Sequence, residues 1–131
     1  MKRCLLICVI VCSFLIAGLA LGSDKKIDPG TAVFAEWTSN GWFHGKVTGP
    51  CAAGFQILFD DGDQKCCALM QIAVDMVPAA ADVQVGTKVI AQWSDGRFYP
   101  GTVGAINGNK YDIQYNDGDK GTLGLSQIRL R

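Results

Sequence analysis

The stretch Gly30-Thr-Ala-Val-Phe-Ala-Glu-Trp37 recurs 56 positions later as Gly86-Thr-Lys-Val-Ile-Ala-Gln-Trp93. Continued without a gap, the same shift gives 14 identical residues over the 45 positions from 30 to 74. The matches near the end of each copy include Asp61-Gly-Asp63 and Asp117-Gly-Asp119. A match of this length predicts a duplicated structural unit.

Each copy has the pattern of short β-strands. Val33-Phe-Ala-Glu-Trp37 and Phe55-Gln-Ile-Leu-Phe59 place apolar residues at alternate positions, which is typical of half-buried strands. Tight hairpin turns are predicted at Asn40-Gly41, Asp61-Gly62, Asp95-Gly96 and Asp117-Gly118. Strands this short must curl to hide their edges, so the fold class predicted is all-β, with two small barrels, each made of four strands and a short closing segment. The residues expected in the core alone are Val33, Phe55, Ile57, Val89 and Ile113.

The first 22 residues differ from the rest of the chain. Lys2 and Arg3 precede an uncharged run from Cys4 to Gly22 that ends in small residues. This order is typical of a signal peptide, although the run of 19 residues is nearly long enough for a membrane-crossing signal anchor. The segment predicts an N-terminal signal helix and export, with a product that is secreted or extracytoplasmic, or anchored to a membrane by residues 4–22.

The repeat divides the chain into four parts. Residues 1–22 form the signal peptide or signal anchor, 30–76 the first unit, 77–82 a linker and 83–131 the second unit. The first unit carries two basic and five acidic side chains, and the second carries six basic and four acidic ones. We expect the two units to pack against each other, and this charge difference is a further reason for them to pair.

The composition disfavours several classes of function. The whole chain has 12 basic and 12 acidic side chains, a balance that is not typical of proteins that neutralise phosphates, so nucleic-acid binding is not expected. The sequence contains no nucleophile elbow, phosphate-binding loop or HExxH motif. We therefore expect neither enzymatic activity nor a cofactor.

Cys51, Cys66 and Cys67 follow the leader. If Asp61-Gly62 is a two-residue turn, Cys66 lies opposite Ile57, Cys67 lies opposite Gln56, and Cys51 is about 16 Å farther along. That distance argues against an internal disulfide and favours a buried free Cys66 with an exposed Cys67 that could link two molecules. With His44 as the single histidine, the spacing matches no usual zinc motif, so no metal site is predicted.

The second copy resembles a Tudor domain of the tandem kind found in chromatin readers. The resemblance rests on Val89-Ile-Ala-Gln-Trp93, Asp95-Gly-Arg-Phe-Tyr-Pro-Gly101 and Tyr115-Asn-Asp-Gly-Asp119, and the first copy has the same pattern. It covers the chain from about residue 30 to the end. It implies a five-stranded, SH3-like bent barrel in each copy, with an aromatic cage at one end of the kind that holds methylated lysine or arginine.

The resemblance also implies cage residues in both copies. The second copy has all of them, namely Trp93, Tyr99, Tyr115 and Asp117, with Asp119 nearby. The first copy has Trp37, Phe59 and Asp61, with either Phe43 or His44 at the place on the second strand. The alternative is that the tryptophans, Phe59 and Tyr115 are core or rim residues and that Asp61 and Asp117 only form turns.

The sequence therefore supports a non-enzymatic, exported binding module that recognises a methylated or cationic group or peptide through an aromatic cage. The expected partner is a protein or peptide, and contact with a membrane is expected only through an uncleaved leader. One alternative is a structural or envelope-associated scaffold whose aromatic residues belong to the core. Another is a methyl-lysine histone reader, if the leader is misread.

Overall fold

The computed structural model describes residues 27–131. The expected signal segment at 1–22 lies outside the described residues, so export remains an expectation from the sequence. Within residues 27–131, no helix has the length and apolar character that a membrane span requires.

The described chain forms two five-stranded antiparallel sheets. The first, the N-terminal unit, contains β1 (Ala32–Thr38), β2 (Gly41–Cys51), β3 (Gly54–Phe59), β4 (Gln64–Cys67) and β5 (Ile72–Val74). The second, the C-terminal unit, contains β6 (Lys88–Gln92), β7 (Phe98–Asn107), β8 (Lys110–Tyr115), β9 (Lys120–Leu123) and β10 (Ile128–Leu130). Their strand orders, β4-β3-β2-β1-β5 and β9-β8-β7-β6-β10, are equivalent. The predicted all-β class with two five-stranded units is confirmed.

Every strand of the N-terminal unit contributes to one core. Its fully buried members include at least one from each strand, namely Val33, Val47, Ile57, Cys67 and Ile72. A single core reached from all five strands requires the sheet to curl around it. The C-terminal unit has an equivalent core that includes Val89, Val103, Ile113 and Ile128. Four of the five predicted core residues are completely buried, whereas Phe55 is half-buried because it lies beside the end of the β2–β3 hairpin and packs against the core from outside.

Three of the hairpin turns have one geometry. Phe59, Trp93 and Tyr115 each donate a backbone N–H to the carbonyl four residues later, and the glycine just before that carbonyl has a positive φ of 96°, 84° or 100° (Gly62, Gly96, Gly118). Each loop is therefore one residue longer than the predicted Asp-Gly turn, with the glycine as a bulge. The prediction of two-residue turns at these three places was wrong, because an Asp-Gly pair suits both geometries.

The first hairpin differs from these three. Thr38 pairs with Gly41 across a turn made by Ser39 and Asn40, so the predicted Asn40-Gly41 turn lies one residue earlier, and a bulge interrupts the ladder between Glu36 and Thr38. Trp37 sits in that bulge. The first hairpin has one extra residue in the bulge before its turn, and the hairpin at Gly96 has one extra residue in the bulge after its turn. Because each hairpin gains one residue, β2 pairs with β1 in the same register as β7 pairs with β6.

The two units pack against each other, as expected. Trp42, Ala73 and Ile90 form a buried cluster between them. Beside it, the rings of Phe34 and Phe98 lie 4.5 Å apart between centroids.

A charged contact joins the units at the edge of this cluster. Arg129 Nε of the C-terminal unit donates to Asp75 Oδ1 at 2.8 Å, and the guanidinium also lies 5.3 Å from the centre of the Phe98 ring. The arginine therefore combines an ion pair with ring stacking. Within residues 27–131 this is the one ion pair between the units, so the expected charge pairing is present as a single contact.

The prediction about the cysteines was wrong. Cys51 and Cys66 form a disulfide with Cα atoms 6.0 Å apart, and Cys67 is a buried free thiol whose pKa is raised by that burial. The longer turn moves Cys66 opposite Gln56 rather than Ile57. Cys51 lies on β2 at the other edge of β3, so the bridge crosses the end of β3, and a distance counted along the hairpin does not apply.

Candidate functional site

The C-terminal concavity is a depression of about 210 Å³ between the turns of the C-terminal unit. The residues that line it are Trp93, Asp95, Tyr99, Tyr115, Asp117 and Asp119. Trp93 follows β6, Tyr99 lies on β7 and Tyr115 ends β8, so three consecutive strands each supply one ring. The aspartates come from the two turns that follow Trp93 and Tyr115, which is why rings and carboxylates converge.

Two of the rings form perpendicular walls. The Trp93 and Tyr115 rings are 5.2 Å apart between centroids with planes at 85°, which is an edge-to-face contact rather than a parallel stack. Tyr115 is 5% exposed, and its hydroxyl donates to the Gln92 carbonyl at 2.8 Å. Tyr115 is thus both a core residue and one side of the concavity.

Tyr99 is held at the rim by an aspartate. Its hydroxyl donates to Asp95 Oδ2 at 2.6 Å. The shared proton raises the pKa of Tyr99 and lowers the pKa of Asp95, in each case chiefly through this hydrogen bond. Asp95 therefore stays ionised and Tyr99 stays neutral. Arg97, exposed in the same turn, adds a smaller effect in the same direction on Asp95.

Burial raises the pKa of Tyr115 to about 12, with the charges of Asp117 and Asp95 as smaller causes. The native chain thus holds the phenolic proton more tightly than the unfolded chain, whose pKa is near 10.0. This contribution to stability is complete below about pH 10 and is lost as the pH rises toward about 12. In an absorbance titration at 295 nm (tyrosinate), Tyr115→Phe should remove the last of the native transitions. Loss of an early transition instead would contradict the assigned burial.

The N-terminal concavity is the equivalent depression of the first unit, about 190 Å³ in volume. It is lined by Trp37, Phe43, Phe59, Asp61 and Asp63. The Trp37 and Phe59 rings are 5.5 Å apart at 88°, nearly the same arrangement as Trp93 and Tyr115. Trp37 and Phe43 are each 42% exposed, whereas Trp93 and Tyr99 are half-buried, so the two side chains are more exposed in the N-terminal unit.

The strand register distinguishes between Phe43 and His44. Phe43 pairs with Ala35 as Tyr99 pairs with Ala91, so Phe43 is the counterpart of Tyr99. His44 lies elsewhere: its Nδ1 is 2.8 Å from Asp60 Oδ2 and its Nε2 is 3.1 Å from Asp75 Oδ2. Its ring also meets Phe34 edge-on at 5.2 Å, so His44 lies beside two residues, Phe34 and Asp75, that contact the C-terminal unit.

The aspartates of the turns have two roles. Asp61 and Asp117 each accept the N–H of the residue two positions later, Asp63 or Asp119, through Oδ1, which is the turn-forming role that the sequence favoured. They also line the concavities. Sequence reasoning missed Asp63 and Asp95 as lining residues. The signal was present in Asp95, which stands in an Asp-Gly turn four residues before Tyr99.

Over residues 27–131 no group of three or more His, Cys, Asp or Glu side chains is arranged to hold a metal ion. What the two concavities offer chemically is a set of ring faces beside carboxylates.

No family model and no curated protein matches the sequence. Among solved structures, the chain is similar to the crystal structure of ADCP1 tandem Agenet domain 3-4, with 22% identity over 80% of each chain and a TM-score of 0.46. It is also similar to Arabidopsis thaliana AGDP1 AGD34, with 23% identity over 80% of this chain and 82% of that one and a TM-score of 0.45. Both are pairs of Agenet domains, which are Tudor-like, and the similarity spans about four fifths of the chain.

Proposed function

We propose that this protein is a non-enzymatic binding module that takes a methylated or quaternary ammonium group in the C-terminal concavity. The observation that carries the proposal is the meeting of Trp93, Tyr99 and Tyr115 with three aspartates around one depression. Ring faces are electron-rich, and an alkylated ammonium loses its hydration shell easily. An ionised carboxylate beside the rings adds a charge-assisted contact.

The size of the depression limits the ligand. Pockets for drug-sized molecules span roughly 300–1,000 Å³, whereas the C-terminal concavity measures about 210 Å³. It has room for the end of one side chain. A modified lysine or arginine presented by a protein or peptide is therefore the favoured partner, and a free metabolite of larger size is not.

The affinity expected for a small cationic probe follows from the number of rings that contact it. Three rings at about 1–1.5 kcal/mol each amount to roughly 4 kcal/mol, which corresponds to a dissociation constant near 1 mM. A peptide adds contacts outside the concavity and should bind more tightly than the isolated group.

We also propose that the protein acts outside the cytoplasm. The disulfide between Cys51 and Cys66 supports this location, since such bonds persist in oxidising compartments and are rare in the cytosol. A reporter that matures only after export, fused after Ser23, would test it. A reporter that stays inactive in the cytoplasm would overturn the proposal and favour a nuclear or cytoplasmic reader.

Titration of the ¹⁵N-labelled protein with tetramethylammonium chloride tests the binding function. We expect the indole Nε1–H signal of Trp93 to shift and saturate in the millimolar range. Peptides with mono-, di- or trimethylated lysine should move the same signal at lower concentration than the unmodified peptide does.

An uncharged probe of similar shape provides the control. tert-Butanol has three methyl groups and no charge, so it should move the Trp93 signal much less than tetramethylammonium does. Equal shifts would mean that the concavity selects apolar volume rather than charge. No shift with either probe would leave the aromatic residues as core and rim, and the protein as a scaffold.

A further inference from the structure

The two concavities share their rings but differ in the group at their base. In the C-terminal unit, the Gln92 carbonyl accepts a hydrogen bond from the Tyr115 hydroxyl at 2.8 Å. In the N-terminal unit, the equivalent carbonyl belongs to Glu36, and it accepts from Lys65 Nζ at 2.9 Å. The hydrogen-bond donor to this carbonyl is therefore a tyrosine hydroxyl in the C-terminal unit and a lysine ammonium in the N-terminal unit.

The exchange involves two positions together. Phe59 stands where the C-terminal unit has Tyr115, and Lys65, opposite Ile57, stands where Gly121 lies opposite Ile113. A Cβ on Gly121 would lie 3.6 Å from the Tyr115 hydroxyl. A full lysine side chain there would compete with that hydroxyl for the same carbonyl. In the N-terminal unit Phe59 has no hydroxyl, and Lys65 fills the space and supplies the donor.

This exchange changes the charge beside the rings. Lys65 Nζ also donates to the Trp37 carbonyl at 3.1 Å, so a positive charge is fixed against the strand end that carries one wall of the N-terminal concavity. That concavity has two carboxylates and the C-terminal one has three. The C-terminal concavity also has a cation in its turn, Arg97, which acts on Asp95 and Tyr99. Arg97 is exposed, whereas Lys65 is held by two backbone carbonyls.

We infer that the two units have different ligand preferences: Lys65 makes the N-terminal concavity a poor site for a cation, and the Tyr115–Gly121 pair keeps the C-terminal concavity available for one. The inference rests on the proposed function. Lys65 Nζ is bonded to the Glu36 and Trp37 carbonyls, so its charge lies behind the Trp37 wall and opposes the entry of a cation. The two sites should therefore differ in affinity for a cation by roughly tenfold or more. Lys65 and Gly121 are then specificity-determining residues.

A single titration of the wild-type protein with tetramethylammonium chloride reads both sites, because Trp37 and Trp93 give separate indole signals. We expect Trp93 to saturate at a concentration at least tenfold below that needed for Trp37. If Trp93 does not respond, the proposed function itself fails. If both signals respond with equal affinity, the proposed function stands and this inference is overturned.

Substitutions at Lys65 test the cause. Lys65→Met keeps much of the stem without the charge and should tighten binding at Trp37, whereas Lys65→Arg keeps the charge and should leave it weak. The double exchange Phe59→Tyr with Lys65→Gly restores a hydroxyl for the Glu36 carbonyl and should bring the Trp37 site within a few-fold of the Trp93 site. Equal affinities at Trp37 for the Met and Arg variants would overturn the inference.

The reverse exchange supplies an independent measurement in the other unit. Tyr115→Phe with Gly121→Lys should weaken binding at Trp93 by roughly tenfold, and Tyr115→Phe alone should weaken it less. An affinity at Trp93 that the double exchange leaves unchanged would contradict the role of Gly121. Dispersed amide signals verify that each variant is folded before its affinity is compared.

Discussion

Removal of the Cys51–Cys66 disulfide should lower the free energy of unfolding by about 3 kcal/mol, the amount expected for a bridge that closes a loop of this length. The two cysteines are 15 residues apart in sequence, and the bond restricts the unfolded chain more than the native one. For a domain of this size, the melting temperature should fall by roughly 10–20 °C. Thermal unfolding of wild type and of Cys51→Ser with Cys66→Ser measures the difference.

Reductant gives the matched control. Dithiothreitol should bring the melting temperature of the wild type close to that of the double variant and should leave the variant unchanged. The C-terminal unit has no cysteine, so any effect on its Trp93 signal reports coupling through the contact between the units. A wild-type melting temperature that stays constant after complete reduction, verified by mass spectrometry, would show that the bridge does not stabilise the fold.

Among Gly→Ala substitutions in the C-terminal unit, Gly101→Ala should be the most destabilising. We expect it to lower the free energy of unfolding by about 3 kcal/mol, the upper part of the range for overpacking. A Cβ at this position would lie 2.7 Å from the Gln114 carbonyl oxygen and 3.1 Å from the Tyr115 Cα. Both are backbone atoms, so β7 and β8 must separate. Chemical denaturation measures the cost. Tyr115 would move with β8, so the affinity for tetramethylammonium should fall as well.

Gly104 on the same strand provides the comparison. A Cβ there would meet only the Gln114 side chain, at 3.2 Å or more, and that side chain is exposed and free to rotate away. Gly104→Ala should therefore change the stability by no more than about 0.5 kcal/mol and leave the affinity intact. If the two variants are equally stable, the close approach of β7 to β8 at Gly101 does not constrain the fold.

The repeat carried most of the fold prediction. Because the shift of 56 residues has no gap, equivalent strands such as β3 and β8 begin at equivalent positions, and the alternating apolar residues identified the core. Alternation works here because one face of each strand is buried in a single core. The prediction that Phe55 is a core residue was wrong for a local reason: Phe55 lies near the end of a hairpin. The alternation of apolar residues carries no information about that position.

Hairpin register was the weakest part of the prediction, and the error spread to the cysteines. An Asp-Gly pair is compatible with a two-residue turn and with a longer turn that ends in a glycine bulge. The longer turn places Cys66 opposite Gln56 instead of Ile57, and in this register Cys66 bonds to Cys51. The approach of Cys51 across the end of β3 depends on the curl of the sheet, and no count of residues along a hairpin contains it.

The sequence by itself determined the duplication, the all-β class and most of the core, because these follow from periodicity and from identity between the copies. The resemblance to Tudor domains indicated most of the rings around each concavity. Only the tertiary structure decided which carboxylates join those rings, that Phe43 rather than His44 is the counterpart of Tyr99, and that Lys65 takes the place of the Tyr115 hydroxyl. These last features depend on side chains that meet across different strands. Their meeting is set by the register and curvature of the sheet, which local sequence patterns leave open.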